Sequence, residues 1–511
     1  MYTRRHFLKA AAGAYLAALG MPGVLRAASR AAARRPNVLF IAVDDLRPQL
    51  GCYGVPWIKS PHLDALAARG TLFENAYCQQ AVCAPTRASL LSGMRPDSTR
   101  VWDLFTPLES TRPDITTLPE LFREHGYDTI SLGKIYHHGA RDDLHGWSVA
   151  PRGSTKPVYH APEGRRAAAA VGPFLARRTE ALLKAATDAE RARIMQQSQQ
   201  GEYSVPFDDC ADVADTEYPD GDLTQLALAE LRQQRTRPFF LAVGYWRPHL
   251  PFSAPKKYWD LYDRAALPMP SSTQWPAHMP AVAGSGWEEL KRYTDGARAN
   301  ESAFTRRLIH GYCACVSFVD AQIGMLLAEL DRQGLRDNTI IVLWGDHGWK
   351  LGEFGAWCKH TNFELDVRAP LLLAAPGHAA RQCSPALVEF VDVYPTLAEL
   401  CNLPLPAQLE GTSMVPLLDN PRRSWKRAAF SQYPRERDTV MGYTMRTHDW
   451  RYTEWIMRAT GAVCARELYD VRSHTIEATN VADRPGYQPI IAELSAQLAQ
   501  GKGWRACRGT T

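Results

Sequence analysis

The chain has little that would place it outside the large globular proteins. No apolar run is long and strong enough to read as a membrane span. Eleven cysteines in 511 residues, with no CxxC pair among them, make neither a dense disulfide framework nor a zinc ribbon. Charged residues are 22% and hydrophobic ones 45%, which excludes a disordered chain and leaves room for a large core and a smaller second unit. Acidic residues are missing altogether from positions 1–35, which hold seven of the 59 Lys and Arg. The formal charge of +5 therefore belongs to that segment, and beyond it 52 basic side chains face 54 acidic ones. A near-neutral body excludes long-range attraction to nucleic acid, so an anionic ligand must be held by locally clustered cations.

What those first residues do contain is informative. TRRHFLKAAAGAYLAALG sets Arg4 and Arg5 ahead of Phe7, Leu8 and Lys9 and a modest alanine-rich stretch, and it resembles a twin-arginine export signal. That implies the twin-arginine export machinery as a partner, and a periplasmic or secreted protein starting near Pro36. An uncleaved amphipathic anchor is the other reading.

Four apolar runs then end in chemically loaded residues: NVLFIAVDD (37–45), DTISLGKIYHHG (128–139), PFFLAVGYWRPHLPF (238–252) and NTIIVLWGDHG (338–348). Helix-like stretches separate them, the alternation of a parallel α/β sheet covered on both faces. In KSPHLDALAARG, Ser60 suits an N-cap, Pro61 the first helical position and Gly70 the stop. Residues 306–331 carry a longer apolar stripe and predict a buried crossover helix, with Cys313 and Cys315 as packed small residues.

Ligands of such sheets sit beyond the carboxyl ends of the strands. Asp44 and Asp45 follow one strand, and Asp346 and His347 another. Three carboxylates gathered there need a cation, and the absence of soft ligands favours calcium or magnesium. A lone Asp after a strand is more often a turn or helix cap. Nearby, QQAVCAPTRASLLSG predicts a helix from about Pro85 to Gly93, with Cys83 at its entrance and Arg87 one turn on.

CAPTR matches CxPxR, and with DDLRPQLGCYG, PFFLAVGYWRPHLPF, GDHGWKLGEFGAWCKHTNF and MGYTMRTHDWRYTEW it resembles the sulfatases of the alkaline phosphatase superfamily, the iduronate-2-sulfatase branch above all. The resemblance covers most of residues 37–470. It implies an alkaline-phosphatase-like α/β fold, a mixed sheet flanked by helices, with a smaller C-terminal α+β domain carrying an antiparallel sheet. The expected division is a signal at 1–35, a catalytic domain at 36–420 and the smaller domain at 421–511. It also implies that a formylglycine-generating enzyme oxidises Cys83 to formylglycine, whose hydrate attacks the sulfur of a sulfate ester and later expels sulfate.

By the same resemblance Asp44, Asp45, Asp346 and His347 hold one Ca2+, or Mg2+, together with residue 83. Arg87 stabilises the hydrate, Lys134 sits by the sulfate, and His137 takes the proton during sulfate release. His138 stands where the relatives have proline, so the two histidines could exchange roles. His249 and Lys359 hold sulfate and assist the leaving oxygen. The expected substrate is a sulfated oligosaccharide containing uronate. Trp102, Asp103, Trp349, Lys350 and Tyr433 are candidates for the sugar pocket, with packing between domains as the alternative for Trp102 and Tyr433.

Residues 150–200 match nothing in the family; their periodicity predicts a helix at about 171–198, an insertion able to reshape the pocket rim. By the same resemblance, Cys210 lacks the upstream disulfide partner that its relatives have. Two other functions remain open on the sequence: a phosphodiesterase or phosphonate monoester hydrolase with the same nucleophile and metal, and an exported glycan-binding protein without catalysis.

Overall fold

The computed structural model describes residues 35–500 apart from 186–189, 191–192, 195–204, 287–288, 437 and 473–475. The expected leader, save Arg35, lies outside the described residues.

A seven-stranded sheet organises the chain. Its strands are β1 (Asn37–Val43), β2 (Thr71–Tyr77), β3 (Asp128–Gly133), β4 (Phe239–Tyr245), β5 (Thr339–Gly345), β6 (Leu371–Ala374) and β7 (Gln382–Glu389), in the order β7-β2-β6-β5-β1-β4-β3. The sheet is mixed: β6 runs antiparallel to both β5 and β2, whereas β1, β3, β4 and β5 are parallel neighbours. The four loaded segments therefore end on one edge. Every residue of β1 is buried, Leu39, Ile41 and Val43 on one face and Val38, Phe40 and Ala42 on the other, because a central strand alternates its side chains between two covered faces.

Helices follow their sequence signals with shifts at the ends. Six of them are labelled α1 (Pro61–Ala67), α2 (Cys83–Ser92), α3 (Pro162–Lys184), α4 (Pro219–Leu231), α5 (Ser302–Arg332) and α6 (Gln488–Gln500). In α1 the Ser60 hydroxyl makes no cap; it donates to Asp64 and accepts from the Gly51 amide. Gly70 is not the stop either, since α1 ends at Ala67. A Cβ on Gly70 would lie 2.3 Å from the Leu373 carbonyl, so glycine there admits β6. α2 starts at Cys83 rather than near Pro85 and ends at Gly93, whose φ of 70° is the left-handed cap that glycine favours. α5 is the crossover helix expected from its stripe. It is long and apolar enough to cross a membrane by length and composition, yet 83% of its apolar window is buried in the core.

The insertion departs most from its pattern. Its helix α3 begins at Pro162, nine residues ahead of the periodicity, because Pro at the first position and the alanine run favour helix before any apolar stripe appears. Toward the C-terminus a separate four-stranded antiparallel sheet, β8 (Ala429–Arg435), β9 (Val440–Arg446), β10 (Trp450–Met457) and β11 (Val463–Asp470), packs with α6.

Candidate active site

Strand ends bring the loaded residues together. Asp44 follows β1 with its amide bonded to the Tyr245 carbonyl of β4 at 3.1 Å. Asp45 takes a φ of 61° and donates its amide to Asp346 Oδ1 at 3.0 Å. Lys134 lies where β3 leaves the sheet, its amide bonded to the Gly244 carbonyl, and a Cβ on Gly244 would come 2.0 Å from the Lys134 carbonyl. Glycine at 244 is thus what lets the chain carrying Lys134 pass so close.

Cys83 is 2% exposed. Its Sγ is 3.4 Å from Asp44 Oδ1 and 3.4 Å from His347 Nε2. Burial, then the Asp44 carboxylate, push the thiol well above its ordinary pKa, the opposite of an activated thiolate. Arg87, one turn on, is fully buried and saturated. Its Nε donates to Asp346 Oδ2 at 3.0 Å, and its other nitrogens reach Asp44 and the carbonyls of Lys134 and Ile135. Thr86 donates to the Asp346 carbonyl at 2.8 Å, a further brace on this loop.

One ligand atom from each of Asp44, Asp45, Cys83 and His347 lies within 4.8 Å of the others. Asp346 borders this group, with Oδ1 3.6 Å from His347 Nε2. The donor set fits a cation. His347 donates Nδ1–H to the Gly348 carbonyl at 3.0 Å, so its Nε2 lone pair faces the cluster, and burial keeps the ring neutral. The carboxylates cannot all ionise comfortably. Burial would raise Asp44, but Lys134, His249 and Arg87 outweigh it and hold the group well below its usual range. Asp45 is pushed well above that range by burial, against the pull of Lys359, with Asp44, Glu289 and Asp346 adding to the rise.

Two lysines flank the cluster on aromatic floors. Lys134 Nζ bonds Asp44 and sits 4.6 Å above the Trp246 ring. Lys359 Nζ is 2.9 Å from Asp45 Oδ1 and 4.7 Å above Trp349. The two adjacent histidines differ in their bonding. His138 is tied through Nδ1 to Asp142 and through Nε2 to the Leu104 carbonyl, whereas His137 has a buried Nδ1 with no hydrogen-bond partner and borders the cavity over Cys83. Burial, then Lys134, hold His137 well below its ordinary pKa, as a neutral base.

Glu289 has no signal in the sequence, yet it stands at the centre of this site. Its carboxylate is 3.2 Å from His249 Nε2, 3.3 Å from Lys359 Nζ and 3.9 Å from His360 Nε2. Burial works against its ionisation, but Lys359, His360 and His249 outweigh it and hold it well below the usual range. His249 is pulled two ways. Burial, then Lys359, push it down to about 4, while Nδ1 faces the Leu250 carbonyl at 2.6 Å and Nε2 the Glu289 carboxylate. The Glu289 carboxylate opposes that fall, since an acceptor facing Nε2 favours a proton there.

Most of the expected sugar-pocket residues are engaged elsewhere. Trp102 donates Nε1 to Asp97 and lies under the Arg458 guanidinium at 4.3 Å. Asp103 bonds the amides of Phe105 and Thr106. Trp349 is wholly buried beneath Lys359. Tyr433 reaches the site only through its hydroxyl on His360 Nδ1, at 2.5 Å. Lys350 adds no free charge to the metal loop, because its ammonium bonds both Asp366 oxygens, at 2.6 and 2.5 Å. Lys350→Met is therefore expected to cost about 3–5 kcal/mol by stranding a buried carboxylate, read by urea unfolding. A raised KM at unchanged stability would instead make Lys350 a substrate contact. Cys210 carries no disulfide among the described residues.

The cavity over Cys83 measures about 230 Å3 and is walled by His137, His249, Glu289 and Lys359 together with residues of α3 and of the turn Leu290–Arg292. The insertion thus forms part of the pocket wall itself.

Comparison with known proteins places the chain in a family. A family model described as sulfatase matches residues 36–403, and one described as N-sulphoglucosamine sulphohydrolase, C-terminal, matches 352–503. Iduronate 2-sulfatase of Mus musculus is 33% identical, covering 90% of this chain and 93% of its own length; that of Homo sapiens is 33% identical, covering 87% and 90%. Among solved structures, one bound to its substrate D-glucosamine-2-N,6-O-disulfate superposes with a TM-score of 0.66 at 22% identity, covering 92% of this chain and 99% of that one. A phosphonate monoester hydrolase from Silicibacter pomeroyi gives 0.67 at 21%, covering 91% and 94%.

Proposed function

The chain belongs to the sulfatase family and is a sulfuric ester hydrolase, and from that premise we propose that it removes sulfate from sulfated uronate sugars as an iduronate-2-sulfatase does. The observation that carries the reading is the position of Cys83, first residue of α2, beside Asp44 and His347 and lining the cavity that His137, His249 and Lys359 also border. A thiol so buried is a poor nucleophile as it stands, which suits a precursor of formylglycine.

Asp44, Asp45, Asp346, His347 and residue 83 would hold the divalent cation, calcium or magnesium. Bound there, the cation polarises the sulfate oxygens and lowers the pKa of the attacking hydroxyl. The remaining work falls to the chain. Arg87 ties α2, the helix that residue 83 opens, to Asp44, Asp346 and the carbonyls of Lys134 and Ile135. Lys134 and Lys359, each seated on a tryptophan, bind sulfate oxygens as negative charge grows on them. His137 accepts the proton released with sulfate at its free Nδ1, and His249 donates one to the leaving oxygen from Nε2. Glu289 keeps that proton on His249.

Glu289→Gln is accordingly expected to lower kcat by roughly 10–100-fold. Removing the carboxylate destabilises the imidazolium, so the alkaline limb of the pH profile moves to lower pH. An unchanged profile would remove Glu289 from the mechanism.

Maturation by a formylglycine-generating enzyme and export through the twin-arginine route, to the periplasm or beyond, complete the reading; residues 36–420 carry the chemistry and 421–511 flank it. The direct test compares purified enzyme on a 2-O-sulfated uronate disaccharide, a phosphate diester and a phosphonate monoester. Sulfate release should dominate. A higher kcat/KM on either phosphorus ester would overturn the assignment.

A further inference from the structure

Resting on the sulfatase reading, we propose that Tyr433 and His360 are positioning residues for the acid that serves the leaving oxygen. They hold Glu289 against His249, so that the His249 proton meets the ester oxygen as its bond to sulfur breaks. Neither side chain is among the described residues that wall the cavity over Cys83. Their influence on the reaction runs through Glu289 and not through the substrate.

The side chains form a line from the C-terminal sheet to the site. The Tyr433 hydroxyl, on β8, is 2.5 Å from His360 Nδ1, and His360 Nε2 is 3.9 Å from Glu289 Oε2. Glu289 Oε1 then lies 3.2 Å from His249 Nε2, and Oε2 3.3 Å from Lys359 Nζ. Charge sets the direction of the protons. His360 is 2% exposed and burial keeps its ring neutral, so it carries one proton. The ionised Glu289 carboxylate can only accept, which places that proton on Nε2. Nδ1 is then an acceptor, and the Tyr433 phenol, kept protonated by burial, donates to it.

The backbone is built around the same contact. His360 has a φ of 87°, a left-handed conformation that a histidine keeps only where its surroundings impose it. Those surroundings include Arg435, two residues past Tyr433 on β8. Its Nη2 donates to the His360 carbonyl at 2.7 Å, and its Nε to the carbonyls of Val282 and Gly284 at 3.1 and 2.9 Å. The guanidinium also lies 4.5 Å from the centre of the Tyr433 ring. One arginine thus pins the segment carrying His360, and the segment leading to Glu289, to the strand that carries Tyr433.

The test uses the basicity of the leaving group. A 2-O-sulfated uronate glycoside and phenyl sulfate release a basic oxygen that needs the proton, whereas 4-nitrophenyl sulfate releases a weakly basic phenolate that leaves without it. Tyr433→Phe removes only the hydroxyl. It should lower turnover of the glycoside and of phenyl sulfate by about 3–10-fold, the scale of one hydrogen bond, chiefly through kcat, and that of 4-nitrophenyl sulfate by less. His360→Asn tolerates the left-handed backbone but stops short of Glu289, and should cost about 10-fold in the same pattern. His360→Gln, whose longer amide can donate to Glu289, should recover part of that loss. Adding Tyr433→Phe to His360→Asn should cost less than about 2-fold more, because the hydroxyl acts through His360. An equal fall on all three esters, a fall on the glycoside alone or carried by KM, or additive losses in the double variant overturns the positioning chain while leaving the sulfatase reading intact. Wild-type enzyme inert toward all three overturns both.

Discussion

Cys83→Ala is expected to abolish sulfate-ester turnover, by at least about 10⁴-fold as for loss of an essential nucleophile, in a protein that remains folded. The side chain supports little of the fold. It caps nothing, since α2 opens from Val82 without a side-chain cap, and the polar partners of its thiol are Asp44 and His347. Alanine retains helix propensity and removes one atom, so unfolding by denaturant should shift by no more than about 1 kcal/mol. Cys83→Ser keeps the size and offers a hydroxyl, and it too should be inactive if an aldehyde hydrate is required. A mass spectrum of the peptide spanning residue 83 of wild-type enzyme separates the accounts: the active form should have lost sulfur and two hydrogens and gained oxygen. Full activity in Cys83→Ala, or an unmodified cysteine in fully active enzyme, would sink the proposal.

Withdrawing divalent cations is the second large effect. Turnover should fall by about 10²–10³-fold, the scale of losing one preorganised electrostatic element, and return with calcium or magnesium. The protein should also melt lower, because a cation that binds only the folded state stabilises it by about 2.7 kcal/mol at one hundred times its dissociation constant. The reason lies in Asp45, which burial and three neighbouring carboxylates push toward protonation against the single pull of Lys359. A cation relieves that conflict directly. Asp45→Asn should blunt both responses. Undiminished turnover and an unshifted melting point after exhaustive chelation would exclude a cation from the site.

The same residues mark how far the sequence could be read. Asp44, Asp346, Lys134 and His249 were legible because each follows a run whose apolar character predicts a strand, and parallel strands must release their ends at one edge. Cys83 was legible as a helix entrance, one turn from Arg87. Lys350 stood on the sequence as a sugar-pocket candidate, because a sequence cannot show that Asp366, sixteen residues on, bonds its ammonium through both oxygens. For Tyr433 and Trp102 the sequence left two readings open, sugar contact or packing, because an aromatic near a site in sequence is equally able to face its neighbours as its ligand.

The sequence by itself determined the central strands, the edge where their polar ends meet and the chemistry of the groups gathered there, since all three follow from short-range patterns of burial and turn. Tertiary structure alone decided that His137 rather than His138 keeps a free nitrogen, that Glu289 holds His249 and Lys359, and that the insertion walls the cavity. Those outcomes depend on contacts between segments far apart in the chain, with no period or motif linking them, so only the folded arrangement fixes which charge meets which.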